Sequence, residues 1–103
     1  MASTVQVLMN AITATTATKV PFELTLQDFQ GNSVPQLWIG GTLAAGDDIF
    51  LWTWVGGAWV ANGTILDETV FRYSLSAIGK YAITATLAAA GPITVELHTT
   101  ALR

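Results

Sequence analysis

Cysteine is absent from this chain of 103 residues, which excludes disulfides and thiolate metal sites and leaves the redox compartment open. Charge is scarce as well: Asp, Glu, Lys and Arg make up 11% of the residues, against about 25% in an ordinary globular domain. The four basic residues, Lys19, Arg72, Lys80 and Arg103, are scattered and form no stripe that would track a phosphate backbone, so nucleic acid is not an expected partner. No apolar run approaches the roughly 20 residues of a membrane-spanning helix, and no membrane partner is expected. Met1-Ala2-Ser3-Thr4 lacks the basic and apolar regions of a secretory leader, so the expectation is synthesis and retention in a cytoplasm, or release from it by lysis.

What the chain has is apolar surface. Hydrophobic residues make up 51%, and a single domain of this length buries roughly two-thirds of the surface its unfolded chain exposes. Such a sequence is not disordered. With so few charges on its exterior, it favours association over life as a free monomer.

The stretch around which the rest is organised is Ile49 to Ala61, I-F-L-W-T-W-V-G-G-A-W-V-A. Gly56-Gly57 supplies the positive φ angles of a two-residue hairpin turn. That turn places Val55 opposite Ala58 and Trp54 opposite Trp59, the latter in a closely approaching non-hydrogen-bonded pair. On the first strand Phe50, Trp52 and Trp54 share one face, and Ile49, Leu51 and Val55 the other, broken only by Thr53. A sheet with one wet face alternates apolar and polar residues. This hairpin does not, so both of its faces call for cover: one from a second sheet, the other from a neighbouring subunit.

Around it lie more strand-like segments. Thr4 to Met9 sets Val5, Val7 and Met9 against Thr4 and Gln6. Ala11 to Lys19, rich in Ala and Thr, reads either as an edge strand or as an extended arm that orders on a neighbour. The expected division is residues 1–20 as strand or arm and 21–103 as one sandwich domain. Phe22 to Leu26 alternates, and Asp28 to Ser33 is a turn cluster. Val34 to Leu43 carries Leu37, Ile39 and Leu43 on one face and Trp38 on the other, with Gly40-Gly41 suggesting a bulge or bend. Phe71, Tyr73 and Leu75, then Tyr81, Ile83, Ala85 and Leu87, then Ile93, Val95 and Leu97 form three further rows. About eight short strands with no helical periodicity predict an all-β fold, an antiparallel β-sandwich of jelly-roll-like kind.

Candidate chemistry is thin. His98 and Glu96 share a strand face, enough for a proton or half a metal site, but one histidine without a second cluster reads as a surface pair. Asp47-Asp48 and Asp67-Glu68 offer loop carboxylates of the kind calcium takes, without an EF-hand pattern, and Asp is at home in turns for its own backbone hydrogen bonds. The serines lack a nucleophile-elbow context and the glycines a phosphate-cradling loop. No enzyme activity, metal or cofactor is expected. The tryptophans Trp38, Trp52, Trp54 and Trp59 suit a sugar platform, a core layer or a subunit interface. Their sequence neighbours Ile49, Phe50, Leu51, Ala58 and Val60 cannot read hydroxyls, which favours core or interface.

Several segments stand out as a set: Gly46-Asp47-Asp48 with Phe50-Leu51-Trp52, Gly57-Ala58-Trp59-Val60, Phe71 to Leu75, Gly79-Lys80-Tyr81 and Gly91 to Leu97. Over Gly41 to His98 this set resembles small β-sandwich proteins of tailed-phage virion gene clusters. The resemblance implies a capsid decoration (cement) protein or a related head or tail component, with the major capsid protein or another virion lattice as partner. It also implies a homo-oligomer, with a trimer favoured at local three-fold axes of the shell. The expected interface residues are Trp38, Phe50, Trp52, Trp54 and Trp59, with Val5, Val7 and Ile12 on an amino-terminal tether. The alternative is a non-catalytic binding module, for a glycan or receptor, from a tail fibre or extracellular protein.

Overall fold

Alternating apolar residues bury one side of a strand and wet the other, and among the described residues this alternation resolves into eight strands, each paired in antiparallel fashion. The computed structural model describes residues 2–30, 34–88 and 91–101. Its strands are β1 (Ala2–Ile12), β2 (Thr16–Leu24), β3 (Gln36–Gly41), β4 (Asp48–Val55), β5 (Ala58–Leu66), β6 (Arg72–Ser74), β7 (Gly79–Thr86) and β8 (Ile93–Ala101). Two four-stranded sheets result, ordered β1-β8-β3-β6 and β2-β7-β4-β5. The chain changes sheet at every connection except β4 to β5, which is the strand order of a jelly roll. The antiparallel, jelly-roll-like sandwich that the patterning predicts is the fold.

The core is the set of facing inward rows. Leu37 and Ile39 of β3 and Ile93, Val95 and Leu97 of β8 meet Ile49 and Leu51 of β4 and Ile83 and Ala85 of β7, all buried. Each of these Leu, Ile and Val side chains contributes about 1.5–3 kcal/mol by leaving water. Phe22 stacks on Tyr81 with ring centroids 5.5 Å apart. The Tyr81 hydroxyl donates to the Ala77 carbonyl at 2.7 Å. Burial, and secondarily Tyr73, pushes the Tyr81 phenol above its ordinary pKa.

Four local features differ from the plain alternation. The register of β1 slips between Val7 and Met9, leaving Leu8 unpaired, and one extra residue reverses the faces that follow. Val5 and Val7 therefore point outward, while Met9 turns into the core, 3% exposed. Strand β2 stops at Leu24, and Leu26–Phe29 is a 3-10 turn that exposes Leu26. The buried Asp28 carboxylate sets it up, accepting from the Thr25 N–H at 2.7 Å and the Thr25 hydroxyl at 3.2 Å. Gly40-Gly41 makes no bulge against β8. Instead Gly41, at φ +114°, lies so close to Pro92 that a methyl group there would collide with the Pro92 carbonyl. Phe71 is exposed rather than inward, because β6 spans only Arg72–Ser74.

The division expected after residue 20 falls inside β2, and residues 2–24 supply an edge strand to each sheet. The extended-arm reading of Ala11 to Lys19 gives way to this: Ala11 and Ile12 end β1, and Thr16 to Lys19 begin β2. Removing residues 2–18 would strip β8 of one of its two neighbours and take Met9 from the core, so they are not a separable tether. The expected turn residues 31–33 and the loop residues 89–90 lie outside the described residues.

Candidate contact surfaces

Gly56 and Gly57 take φ of +60° and +84°, both positive as a type I′ turn requires. The turn fixes the pairing expected from the sequence, Val55 with Ala58 and Trp54 with Trp59. The two indoles meet edge to face, with centroids 5.1 Å apart at 73°, a geometry worth about 0.5–1.5 kcal/mol beyond area burial.

Both faces of β4 are apolar, and the sandwich covers only one. Ile49 and Leu51 face the other sheet and are buried. Phe50, Trp52 and Trp54 project from the outer face as a continuous row, with Phe50 and Trp52 at 5.2 Å between centroids. Toward the turn even the inward row loses its cover, since Val55 is 57% exposed and Val60, opposite Thr53, is 49% exposed. The hairpin thus extends past the facing sheet. Its tip shows Trp54 and Trp59 on one side and Val55 and Val60 on the other.

The outward aromatics keep cationic company. Lys19 Nζ lies 4.2 Å from the Trp52 ring centroid. Lys80 Nζ lies 5.0 Å from the Trp54 centroid and 5.8 Å from that of Trp59. On the opposite sheet the Arg72 guanidinium sits 4.0 Å from the Trp38 centroid. Every basic side chain among the described residues therefore rests on an indole. Such contacts are attractive because the ring face carries negative quadrupole density. Trp52 is further held by donating from Nε1 to the Thr84 hydroxyl at 3.1 Å. Sequence neighbours gave an incomplete picture of this surface: Ile49 and Leu51 lie on the other side of the sheet, and besides Phe50 the rings are bordered by Lys19, Lys80 and Thr84.

Trp38 forms a second, smaller site on the outer face of the β1-β8-β3-β6 sheet. The His98 ring of β8 stacks on it at 3.6 Å and 16°, while Arg72 approaches from β6. Trp38 Nε1 donates to Gln36 Oε1 at 2.9 Å, and Gln36 Nε2 donates to the Ser74 hydroxyl at 3.3 Å. His98 Nε2 lies 3.0 Å from Glu96 Oε1. Beside Trp38 a shallow cleft of about 340 Å³ is lined by Gly40, Gly41, Thr94 and Glu96. Another, of about 320 Å³, opens between the edge strands and is lined by Thr4, Gln6, Glu23, Thr25 and Thr99.

The remaining expected interface residues separate. Val5 and Val7, opposite His98 and Glu96, are half exposed at the sheet's edge, whereas Ile12 is partly buried and packs against the core. The loop acids are structural. Asp47 is fully buried and accepts from the Ala44 N–H at 2.8 Å and the Ala88 N–H at 2.7 Å. Asp67 accepts from the Thr69 N–H, the Thr69 hydroxyl and the Val70 N–H, and these bonds hold its carboxyl below the ordinary value. Among the described residues no three His, Asp or Glu side chains group as a metal site.

Fold and surface together define a jelly-roll sandwich whose distinctive features lie on its outer faces and hairpin tip. No family model, curated protein or solved structure matches the chain.

Proposed function

We propose that the chain is a non-catalytic structural protein of a virion, a decoration protein that associates with itself and docks on a capsid lattice. The observation that carries this reading is the β4–β5 tip, which presents Trp54 and Trp59 on one side and Val55 and Val60 on the other, with Trp54, Val55 and Val60 at least 40% exposed. An apolar tip of this kind seats in a depression of a partner. Burying about 400 Å² of apolar surface there contributes about 10 kcal/mol before the entropic cost of association. The scarcity of charge across the chain supports the same reading, and so does the resemblance set out above.

The test follows the chain through density-gradient purification of particles from its source, using an antibody to the purified protein. Co-migration with the shell at a fixed copy ratio, lost in a Trp54→Ala/Val55→Ser variant that still folds, is the expected result. Recovery of the chain only in unassembled fractions would refute it.

A glycan-binding module is the second reading, favoured by the two lysines and Thr84 that border the tryptophans on their own face. A sugar would have to displace Lys19 and Lys80 from the indoles it stacks on. Titration with neutral and acidic oligosaccharides, read by tryptophan fluorescence, distinguishes this reading by a saturable spectral shift.

A further inference from the structure

A jelly roll leaves four sheet edges, and an uncovered edge is a template for another strand unless something blunts it. Three of the four are blunted here. Strand β6 has three residues and carries Arg72. Strand β5 is bulged twice, where its register with β4 slips past Ile65 and Asn62. Strand β2 carries Lys19, Pro21 and Glu23, and three of its residues bulge between Thr16 and Val20. Strand β1 differs from all of them. It has eleven residues, none charged and none proline, and from Ala2 to Val7 it runs in unbroken register against β8 for six consecutive pairs. Its bulges are confined to the stretch after Val7. Among the described residues, no backbone group of Thr4 to Asn10 bonds a segment other than β8.

We propose that the β1 edge pairs with the β1 edge of a second copy of this chain, antiparallel and about a two-fold axis, joining two β1-β8-β3-β6 sheets into one of eight strands. The choice of occupant follows from the count of open edges. A molecule with one adhesive edge among four meets a second copy only through that same edge, and such an isologous contact closes at two. The absence of charge lets the strand face itself without like-charge repulsion. Antiparallel pairing keeps side chains of the same face together, so Val5 and Val7, each about half exposed, meet Val5 and Val7 of the second copy. Six residues pairing this way close about six backbone hydrogen bonds. The symmetry is two-fold rather than the three-fold that the resemblance implies, and the pairing stands whatever the hairpin tip binds.

The experiment is sedimentation velocity on the full chain over a hundredfold range of concentration. Wild type is expected to dimerise. Val5→Lys/Val7→Lys and Val5→Glu/Val7→Glu variants are each expected to dissociate at least about a hundredfold more readily, because like charges then face each other. An equimolar mixture of the two is expected to recover the dimer. Both positions are exposed, and the near-ultraviolet circular dichroism of the tryptophans reports whether each variant folds. Should either misfold, hydrogen exchange on wild type at high and low concentration decides, with alternate amides of Ser3 to Val7 protected only in the dimer. A wild-type monomer throughout, a trimer, or a dimer indifferent to both charge variants would overturn the pairing. Lattice docking is read separately, by co-migration of the tip variant, so either idea can fail without the other.

Discussion

Replacing Asp47 by alanine tests how the loops of the sandwich are held. The carboxylate is fully buried and accepts two backbone N–H groups, from Ala44 at 2.8 Å and from Ala88 at 2.7 Å. It thereby ties the turn that enters β4 to the chain leaving β7, two segments 41 residues apart in sequence. In Asp47→Ala both donors lose this acceptor in part-buried surroundings, and each N–H left unpaired there costs about 1–3 kcal/mol. The total is about 4 kcal/mol, a large part of the 5–15 kcal/mol that holds a typical domain together. For a chain of this size that lowers Tm by about 15–30 °C. Asp47→Asn keeps one carbonyl oxygen but turns an amide N–H₂ toward the other donor, so about half the loss is expected. Thermal melts at pH 7, followed by circular dichroism, read both variants. A drop of less than about 4 °C for Asp47→Ala would refute the reasoning, since it corresponds to under about 1 kcal/mol and would mean that water satisfies both donors.

Gly41→Ala is expected to destabilise the fold by at least about 1–3 kcal/mol, the usual cost of a side chain held in a disfavoured backbone region; its φ is +114° and a methyl would strike the Pro92 carbonyl. A denaturant midpoint equal to wild type would contradict that. Lys19→Ala uncovers Trp52, with an expected loss of about 0.5–1 kcal/mol and a red shift of tryptophan emission; an unchanged spectrum would show that the lysine does not shield the ring. Asp67→Ala has a signed dependence on pH. The folded-state carboxyl titrates below its ordinary value, so its contribution is present above the unfolded pKa of about 4 and is lost as pH falls through the folded value. The Tm gap between variant and wild type should therefore narrow below about pH 4, and a gap constant from pH 7 to pH 2 would refute the cause assigned here.

Where a local rule acts alone, the sequence was legible. Two consecutive glycines admit few turns, so the pairing of Trp54 with Trp59 follows from Gly56-Gly57 without knowledge of the rest of the fold. Alternation in β7 and β8 likewise places Ile83, Ala85, Val95 and Leu97 inward. What was not legible depends on partners distant in the chain. The slip at Leu8 that sends Met9 inward involves no glycine and leaves no mark in composition. The 3-10 turn after β2 did leave one, since Thr25 and Asp28 have capping spacing, but the alternation of Phe22, Leu24 and Leu26 read more strongly as strand. The inward side of β4 is undecidable from β4 itself, because both rows are apolar. It is settled only by which neighbours the strand acquires.

Those neighbours also explain how a chain with so few charges carries tryptophans on its exterior. Lys19 reaches Trp52 from β2, Lys80 reaches Trp54 and Trp59 from β7, and Arg72 reaches Trp38 from β6. A lysine or arginine laid along an indole covers apolar surface with its stem and keeps its charge in water, so one residue shields the ring and solvates it together. No comparable cover lies over Val55 and Val60 at the hairpin tip, or over Val5 and Val7 at the β1 edge, all at least 49% exposed. The surface is therefore uneven: the outward tryptophans carry the scarce cations, whereas single residues such as Leu26, Phe71 and Ile78 are bare, and so are the paired valines at the two places where a lattice and a second copy are proposed to bind.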